Sequence, residues 1–152
     1  MLSIAPTPAI PHVPDLLHQL VIRATREQVY RALTTAEELA RWWTRDVVAE
    51  PSVGTVAQFA FNRRALTFRM FVQELSACER IRWHCLAGHP EWKDTELVFT
   101  LAPHVDGTLL HFAHRGWKST DGIFAVCNFD WARSLASLKS YLETGRGSPY
   151  PG

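Results

Sequence analysis

Cysteine is scarce in this sequence of 152 residues. The three cysteines, Cys78, Cys85 and Cys127, are widely spaced and form no CxxC pair. Such an odd and scattered set argues against a disulfide framework, which needs paired cysteines. It is typical of a protein that stays in a reducing compartment, so we predict a cytoplasmic location.

Long apolar runs and an excess of one charge are also missing. No stretch of about 18 consecutive apolar residues occurs, so we predict no membrane insertion. The 16 basic and 15 acidic residues are interspersed and give a formal net charge of +1. A dedicated nucleic-acid binder needs a basic stripe that neutralises phosphates, so we predict no nucleic-acid partner.

Motifs of the common catalytic and metal sites are absent as well. The sequence contains no GxSxG, GxGxxG, P-loop, HExxH or HxH pattern. His111 and His114 are three residues apart, and on a strand that spacing directs them to opposite faces. We therefore predict no metal site and no cofactor, and the sequence identifies no catalytic residue.

The chain is short enough for one domain. Residues 1–15, "MLSIAPTPAIPHVPD", contain four prolines and lack the basic start of a signal peptide. We predict that they form an extended Pro-rich leader. The domain is expected to span residues 16–145, and residues 146–152 are expected to form a C-terminal tail.

Tryptophan and phenylalanine are plentiful, with six and eight copies, and Trp42 and Trp43 are adjacent. The segment that ends in this pair begins with Thr25, followed three residues later by Gln28. That spacing is a capping box and predicts a helix start. A second short helix is predicted from about Thr35, with the two tryptophans on its apolar side.

Six runs of apolar or β-branched residues predict strands. They cover residues 16–24, 55–61, 65–75, 80–87, 96–102 and 108–115. The last five are joined by short connections, which indicates hairpins and an antiparallel meander.

A different periodicity follows residue 120. Apolar residues recur three or four positions apart, which predicts one long amphipathic helix: Phe124, Cys127, Trp131, Leu135, Leu138 and Leu142. Asp121 is the candidate N-cap of this helix, and Gly145 is the expected stop.

This order of elements predicts an α+β fold in which a curved antiparallel sheet wraps around the long C-terminal α-helix. The apolar stripe of the helix has to cover one face of the sheet. A curved sheet around one helix leaves an interior that side chains do not always fill. The surplus of aromatic residues is then explained as the lining of a cavity.

Three segments carry a resemblance to a known family: "VIRATREQVYRALTTAEELARWW", "ELVFTLAPHVDGTLLHFAHRGW" and "FDWARSLASLKSYLETG". In this order and spacing, the chain resembles the START/Bet v 1-like (SRPBCC) superfamily, in the branch related to the C-terminal domain of the Hsp90 ATPase activator. The resemblance extends from about Leu16 to Gly145. The turn "LSACER" and the segment "PSVG" depart from the family pattern.

The resemblance implies a helix-grip (Bet v 1-like) fold with a pocket between the sheet and the long helix. Family members bind lipids, polyketides, hormones and other apolar molecules, and a minority are enzymes such as polyketide cyclases. We therefore expect this chain to bind a hydrophobic or aromatic small molecule, lipid- or polyketide-like. The alternatives are a cavity-based enzyme of the cyclase or hydrolase type, and an Hsp90-activator-like interaction protein.

Strand and helix periodicity sorts the residues that face the interior. The candidate ligand-binding residues are Trp42, Trp43, Phe59, Phe68, Met70, Trp83, Phe99, Phe112, His114, Phe124, Cys127 and Trp131. Each has an alternative role as plain core packing. His114 is the polar member of the set, and it could orient a ligand or act as an acid or base, or it could be satisfied by a neighbouring hydroxyl or carbonyl.

A homodimer is also possible, through an edge strand or an exposed tryptophan.

Overall fold

The computed structural model describes residues 12–152. Its elements in chain order are β1 Leu16–Ile22, α1 Arg26–Thr34, α2 Ala36–Trp42, β2 Asp46–Val48, β3 Val56–Phe61, β4 Leu66–Ser76, β5 Arg80–Ala87, β6 Glu96–His104, β7 Gly107–Arg115 and α3 Phe124–Thr144. Most of the predicted leader lies outside the described residues. No helix of the described part is long and apolar enough to cross a membrane.

The seven strands form a single antiparallel sheet with the order β1-β7-β6-β5-β4-β3-β2. Hairpins join β3 through β7, as the short connections predict, and β1 pairs with β7 and forms one edge of the sheet. The β4–β5 ladder shifts register after Arg69 and again after Val72. Such irregularities bend a strand and increase its twist, which lets the sheet curve around a helix. The α+β helix-grip prediction is confirmed.

Two predicted helix signals are realised in the structure. The Thr25 side chain accepts from the Gln28 backbone N–H, and the Gln28 side chain accepts from the Thr25 backbone N–H, which completes the capping box at the start of α1. Gly145 ends α3 in the left-handed conformation with φ of 84°, where a residue without Cβ carries no steric cost.

The start of α3 differs from the prediction. The helix begins at Phe124 with Ile123 as its N-cap, so the assignment of Asp121 as the cap is wrong. The Glu91 carboxylate, from the β5–β6 connection, accepts a hydrogen bond from the Ile123 N–H, with both oxygens at 3.3 Å. A distant acidic residue therefore takes the place of a local cap, which the local sequence pattern could not indicate.

The core lies between the concave face of the sheet and the three helices. Its large and fully buried side chains include Trp42, Phe59, Phe99, Phe112, Met70, Ile81, Leu110 and Leu135. The C-terminal half of α3 is held against β1 and the residue that follows it. The Lys139 Nζ donates to the Val21 carbonyl at 2.5 Å, and the Glu143 carboxylate accepts from the Arg23 N–H at 2.9 Å. The N-terminal half of α3 lies over a part of the interior that is not filled.

Candidate functional site

A cavity of about 640 Å³ lies beside the N-terminal half of α3. Five parts of the chain surround it: α3 itself, Trp43 at the end of α2, the β3–β4 hairpin, the β5–β6 connection and the C-terminal segment. It is lined by Trp43, Phe61, Asn62, Arg63, Leu66, Phe68, His89, Trp92, Ile123, Val126, Cys127, Asp130, Trp131, Ser134, Tyr150, Pro151 and Gly152. Val126 and Leu66 are 59% and 37% exposed, so the cavity opens to solvent on their side.

Five aromatic side chains of the lining contact one another in a closed ring, which we call the aromatic circuit: Trp43, Phe61, Phe68, Trp92 and Trp131. Successive ring centroids are 5.8, 5.8, 4.2, 5.9 and 5.2 Å apart, the last distance joining Trp131 back to Trp43. Edge and tilted contacts at these distances stabilise aromatic clusters. The circuit therefore forms a rigid apolar surface that needs no ligand to hold its shape.

The adjacent tryptophans have different surroundings. The Trp42 indole N–H donates to the Ala32 carbonyl at 2.8 Å, and the side chain is 1% exposed within the core. Trp43 packs against Phe59 at 4.4 Å and against Trp131 at 5.2 Å, and it lines the cavity. Trp42 thus anchors α2 to α1, while Trp43 contributes to the wall of the site.

The structure brings four of the predicted site residues to the cavity wall, namely Trp43, Phe68, Cys127 and Trp131. The others are not among the lining residues; they are Trp42, Phe59, Met70, Trp83, Phe99, Phe112, His114 and Phe124. All of these are buried core except Phe124, which is partly buried and packs on Trp117 with the ring centroids 5.3 Å apart. The open space therefore lies on the side of β3 and β4, whereas most of the predicted residues belong to the filled core. Whether a ligand contacts any of these residues stays a prediction.

His114 sits in a complete hydrogen-bond chain inside the core. The Trp131 indole N–H donates to His114 Nδ1 at 3.2 Å, and His114 Nε2 lies 2.8 Å from Thr95 Oγ1. The Thr95 hydroxyl donates to the Trp92 carbonyl at 2.6 Å, so its oxygen is free to accept from His114 Nε2–H. Burial lowers the pKa of His114 to about 3. The ring is neutral with its proton on Nε2, and both nitrogens have partners.

Cys127 lines the cavity but its sulfur already has a partner. The Trp92 indole N–H donates to Cys127 Sγ at 3.3 Å. Burial raises the pKa of the thiol, against the opposing effect of that hydrogen bond. A protonated thiol is a weak nucleophile, so this arrangement suits a buried packing residue better than a reactive one.

The C-terminal segment, residues 146–152, forms part of the cavity wall. The Tyr150 N–H donates to the Trp43 carbonyl at 2.7 Å, and the Tyr150 carbonyl accepts from the Arg45 N–H at 3.0 Å. The Gly152 carbonyl accepts from the Arg63 N–H at 2.8 Å. Sequence reasoning treated this segment as a tail and missed its residues, although "PYP" is a stiff aromatic tripeptide of the kind that can pack in an extended form.

Two further groups of lining residues were missed. Asn62 and Arg63 belong to the β3–β4 turn and have φ of 50° and 55°. This left-handed conformation is usually indicated by a glycine in the sequence, and the turn contains none. Trp92 belongs to the β5–β6 connection. It is 6% exposed and stacks on Trp131, so it is part of the wall.

Metal ligation has no evident support within residues 12–152. No three histidine, cysteine or acidic side chains of that range are grouped so that they could share an ion. The three cysteines are free thiols.

Comparison with known proteins agrees with the observed fold and identifies the family. A profile of the family described as "Activator of Hsp90 ATPase homolog 1-like protein" matches residues 23–143. The chain belongs to this AHSA1-like family. The resemblance noted in the sequence is thereby confirmed, including its branch. A comparison with curated proteins gives no match.

Solved structures of similar proteins share the AHSA1-like architecture. The solution structure of the Aha1 dimer from Colwellia psychrerythraea is 34% identical, with 89% of this chain and 100% of that chain covered and a TM-score of 0.82. Protein CV1439 from Chromobacterium violaceum is 25% identical, with 85% and 96% covered and a TM-score of 0.72. DynU16, from the dynemicin biosynthetic locus, is 22% identical over 90% of this chain and 49% of its own, with a TM-score of 0.75.

Proposed function

We propose that this AHSA1-like chain binds a hydrophobic or aromatic small molecule, lipid- or polyketide-like, in the cavity beside α3. The observation that carries the proposal is the cavity of about 640 Å³ lined by the aromatic circuit. Ligand pockets commonly have volumes of about 300–1,000 Å³ and mostly apolar walls with a few polar groups. The circuit is held by its own contacts, so a ligand would meet a preformed surface and less binding energy would be lost to ordering.

Binding of 8-anilinonaphthalene-1-sulfonate, whose emission rises in an apolar site, tests the proposal. Replacing Val126 by tryptophan adds an indole at the mouth of the cavity, where the native side chain is 59% exposed. We expect Val126→Trp to weaken dye binding by about tenfold or more, because the added side chain occupies apolar space that the dye needs.

Val105→Trp is the matched control, since it adds the same indole in the β6–β7 turn, where Val105 is 93% exposed and lines no part of the cavity. The control should bind the dye as the wild type does. A wild type that binds no apolar dye, or two variants that bind alike, would refute the proposed site.

Self-association is a second candidate, favoured by the dimeric relative that is 34% identical. Strand β1 lies at one edge of the sheet, and its Leu17 is 57% exposed. A second copy could extend the sheet there. All six tryptophans are buried, so the alternative route through an exposed tryptophan is wrong. Sedimentation equilibrium at rising protein concentration measures the mass, and a persistent monomer contradicts the candidate.

The other two functions considered from the sequence stay predictions. A cyclase- or hydrolase-type enzyme would need polar groups that converge on a bound substrate. An Hsp90-activator-like interaction protein would need a partner ATPase. The family assignment is compatible with both, and the cavity itself favours ligand binding.

A further inference from the structure

The polar side chains of the cavity lie on two parts of its wall. One group, Asn62, Arg63 and His89, comes from the β3–β4 turn and the β5–β6 connection, and the other lies on α3 and the C-terminal segment. Asp130 and Ser134 lie one turn apart on α3, and Tyr150 lies beside them on the C-terminal segment. Cys127, on the preceding turn, is already engaged by the Trp92 indole. Asp130, Ser134 and Tyr150 therefore form the polar part of the wall beside α3.

The Tyr150 side chain is held in place before any ligand arrives. Its backbone is fixed on both sides by hydrogen bonds to Trp43 and Arg45, at 2.7 and 3.0 Å. Its ring packs edge-on against Phe61, with the centroids 5.5 Å apart. A polar group positioned by its backbone and by ring packing loses little entropy when it binds, which is what a specificity contact requires.

The chemistry of Tyr150 and Asp130 favours one kind of functional group on the ligand. Burial, and then the neighbouring Asp130 carboxylate, raise the pKa of the Tyr150 phenol, so the phenol keeps its proton near neutral pH and can donate. The Asp130 side chain offers acceptor oxygens. A donor and an acceptor side by side match a hydroxyl group, which accepts through its oxygen and donates through its proton.

Building on the proposed binding function, we propose that Tyr150 and Asp130 are the specificity-determining residues of the cavity and select aromatic ligands that carry a hydroxyl group. The aromatic body of the ligand packs on the circuit. Its hydroxyl oxygen accepts from the Tyr150 phenol and its proton is donated to Asp130. A ligand of the same shape without the hydroxyl would desolvate both side chains without giving them a partner, which costs affinity.

Three probes of similar shape test the inference by displacement of the bound dye at pH 7. These are 2-naphthol, which donates and accepts, 2-methoxynaphthalene, which only accepts, and 2-methylnaphthalene, which does neither. We expect the wild type to bind 2-naphthol about tenfold more tightly than 2-methylnaphthalene, the equivalent of about one good hydrogen bond.

Two variants then separate the contacts. Tyr150→Phe keeps the ring; it should remove the advantage of 2-methoxynaphthalene over 2-methylnaphthalene and reduce that of 2-naphthol, which can still donate to Asp130. Asp130→Asn should weaken 2-naphthol and leave 2-methoxynaphthalene unchanged. Tyr141→Phe is the matched control, because the Tyr141 hydroxyl donates to Glu38 at 2.9 Å and lies outside the cavity lining. It should retain the full preference of the wild type.

The inference falls if the wild type binds all three probes equally, or if both cavity variants weaken the three probes to the same extent. In either case the proposed function stands, since binding itself would have been measured. A wild type that binds neither the dye nor any probe overturns the proposed function and this inference together.

Discussion

Each ring nitrogen of His114 has a hydrogen-bond partner, and this arrangement leaves no place for a second proton on the ring. Protonation of Nδ1 would place an N–H against the Trp131 indole N–H, which is 3.2 Å away. The neighbouring Thr95 hydroxyl is oriented by its own bond to the Trp92 carbonyl. His114 therefore connects β7, α3 and the β5–β6 connection as a neutral structural group. Of the roles considered from the sequence, the satisfied histidine is the one that this geometry favours.

The depressed pKa of His114 makes stability depend on pH. The unfolded chain binds a proton on this residue below about pH 6.5, whereas the folded chain does not until about pH 3. The unfolded state thus binds more protons across this interval, and the free energy of unfolding falls as the pH falls. We expect the wild type to lose about 2 kcal/mol between pH 6.5 and 4.5 through this group.

His114→Gln provides the reference, because glutamine can accept from Trp131 and donate to Thr95 without titrating. Urea unfolding at several pH values gives both profiles, and their difference isolates the histidine. Parallel profiles for the two proteins would show that the folded state accepts the proton at little cost.

Alternation along a strand correctly predicted which residues of β7 point inward. Thr108, Leu110, Phe112 and His114 share one face of β7, and all are fully buried. The same alternation could not separate core from cavity lining, because residues of both kinds face inward. The void arises where side chains of distant elements fail to meet, and that depends on the whole packing arrangement.

At the scale of elements, α3 depends on the β5–β6 connection for its start. Gly122 allows this contact, since a Cβ at that position would overlap the Glu91 carboxylate. The carboxylate lies at the positive end of the helix dipole and accepts from Ile123 N–H. The wall of the cavity and the start of its main helix are thus coupled through one side chain.

Removal of that carboxylate should destabilise the fold. We expect Glu91→Ala to lower the free energy of unfolding by about 1 kcal/mol, as the loss of a helix cap does. Glu91→Gln keeps an acceptor and should cost less. Asp121→Ala, at the cap position predicted from sequence, should change stability by less than about 0.5 kcal/mol. Chemical denaturation measures all three, and a larger effect at Asp121 than at Glu91 would contradict the assignment.

The elements with their own periodicity were predictable within a few residues. The strand predicted over residues 80–87 and the helix stop at Gly145 are confirmed. Strand β2, Asp46–Val48, was not predicted as a separate element. It has only three residues and is formed by pairing with β3, so no local sequence pattern predicts it. The C-terminal segment is held in the same way, by backbone bonds to Trp43, Arg45 and Arg63.

At the scale of the molecule, the last residues of the described chain complete a wall begun by residues far away in sequence. Gly147 lies so close to α2 that a Cβ there would overlap the Arg41 carbonyl oxygen. The Ser148 N–H donates to Ser137 Oγ at 2.7 Å, and that hydroxyl donates to the Trp42 carbonyl at 2.7 Å. The segment is therefore fixed at several points before it reaches the cavity.

A single methyl group should loosen this attachment. We expect Gly147→Ala to displace the segment, because backbone atoms on α2 cannot move aside cheaply. Trypsin cleaves after Arg146, and mass spectrometry of the released peptide reports how often the segment leaves its place. Release should be several-fold faster in the variant than in the wild type. Equal release rates would mean that the segment does not depend on the close approach at Gly147.

The aromatic circuit also gives the protein an optical property. Trp92 and Trp131 lie nearly parallel with their centroids 5.9 Å apart, and Trp131 lies 5.2 Å from Trp43. At such separations, excitation absorbed by one indole passes to the next before light is emitted. A guest that quenches one member would therefore dim all three, and occupancy could be followed by intrinsic fluorescence alone, with no label attached.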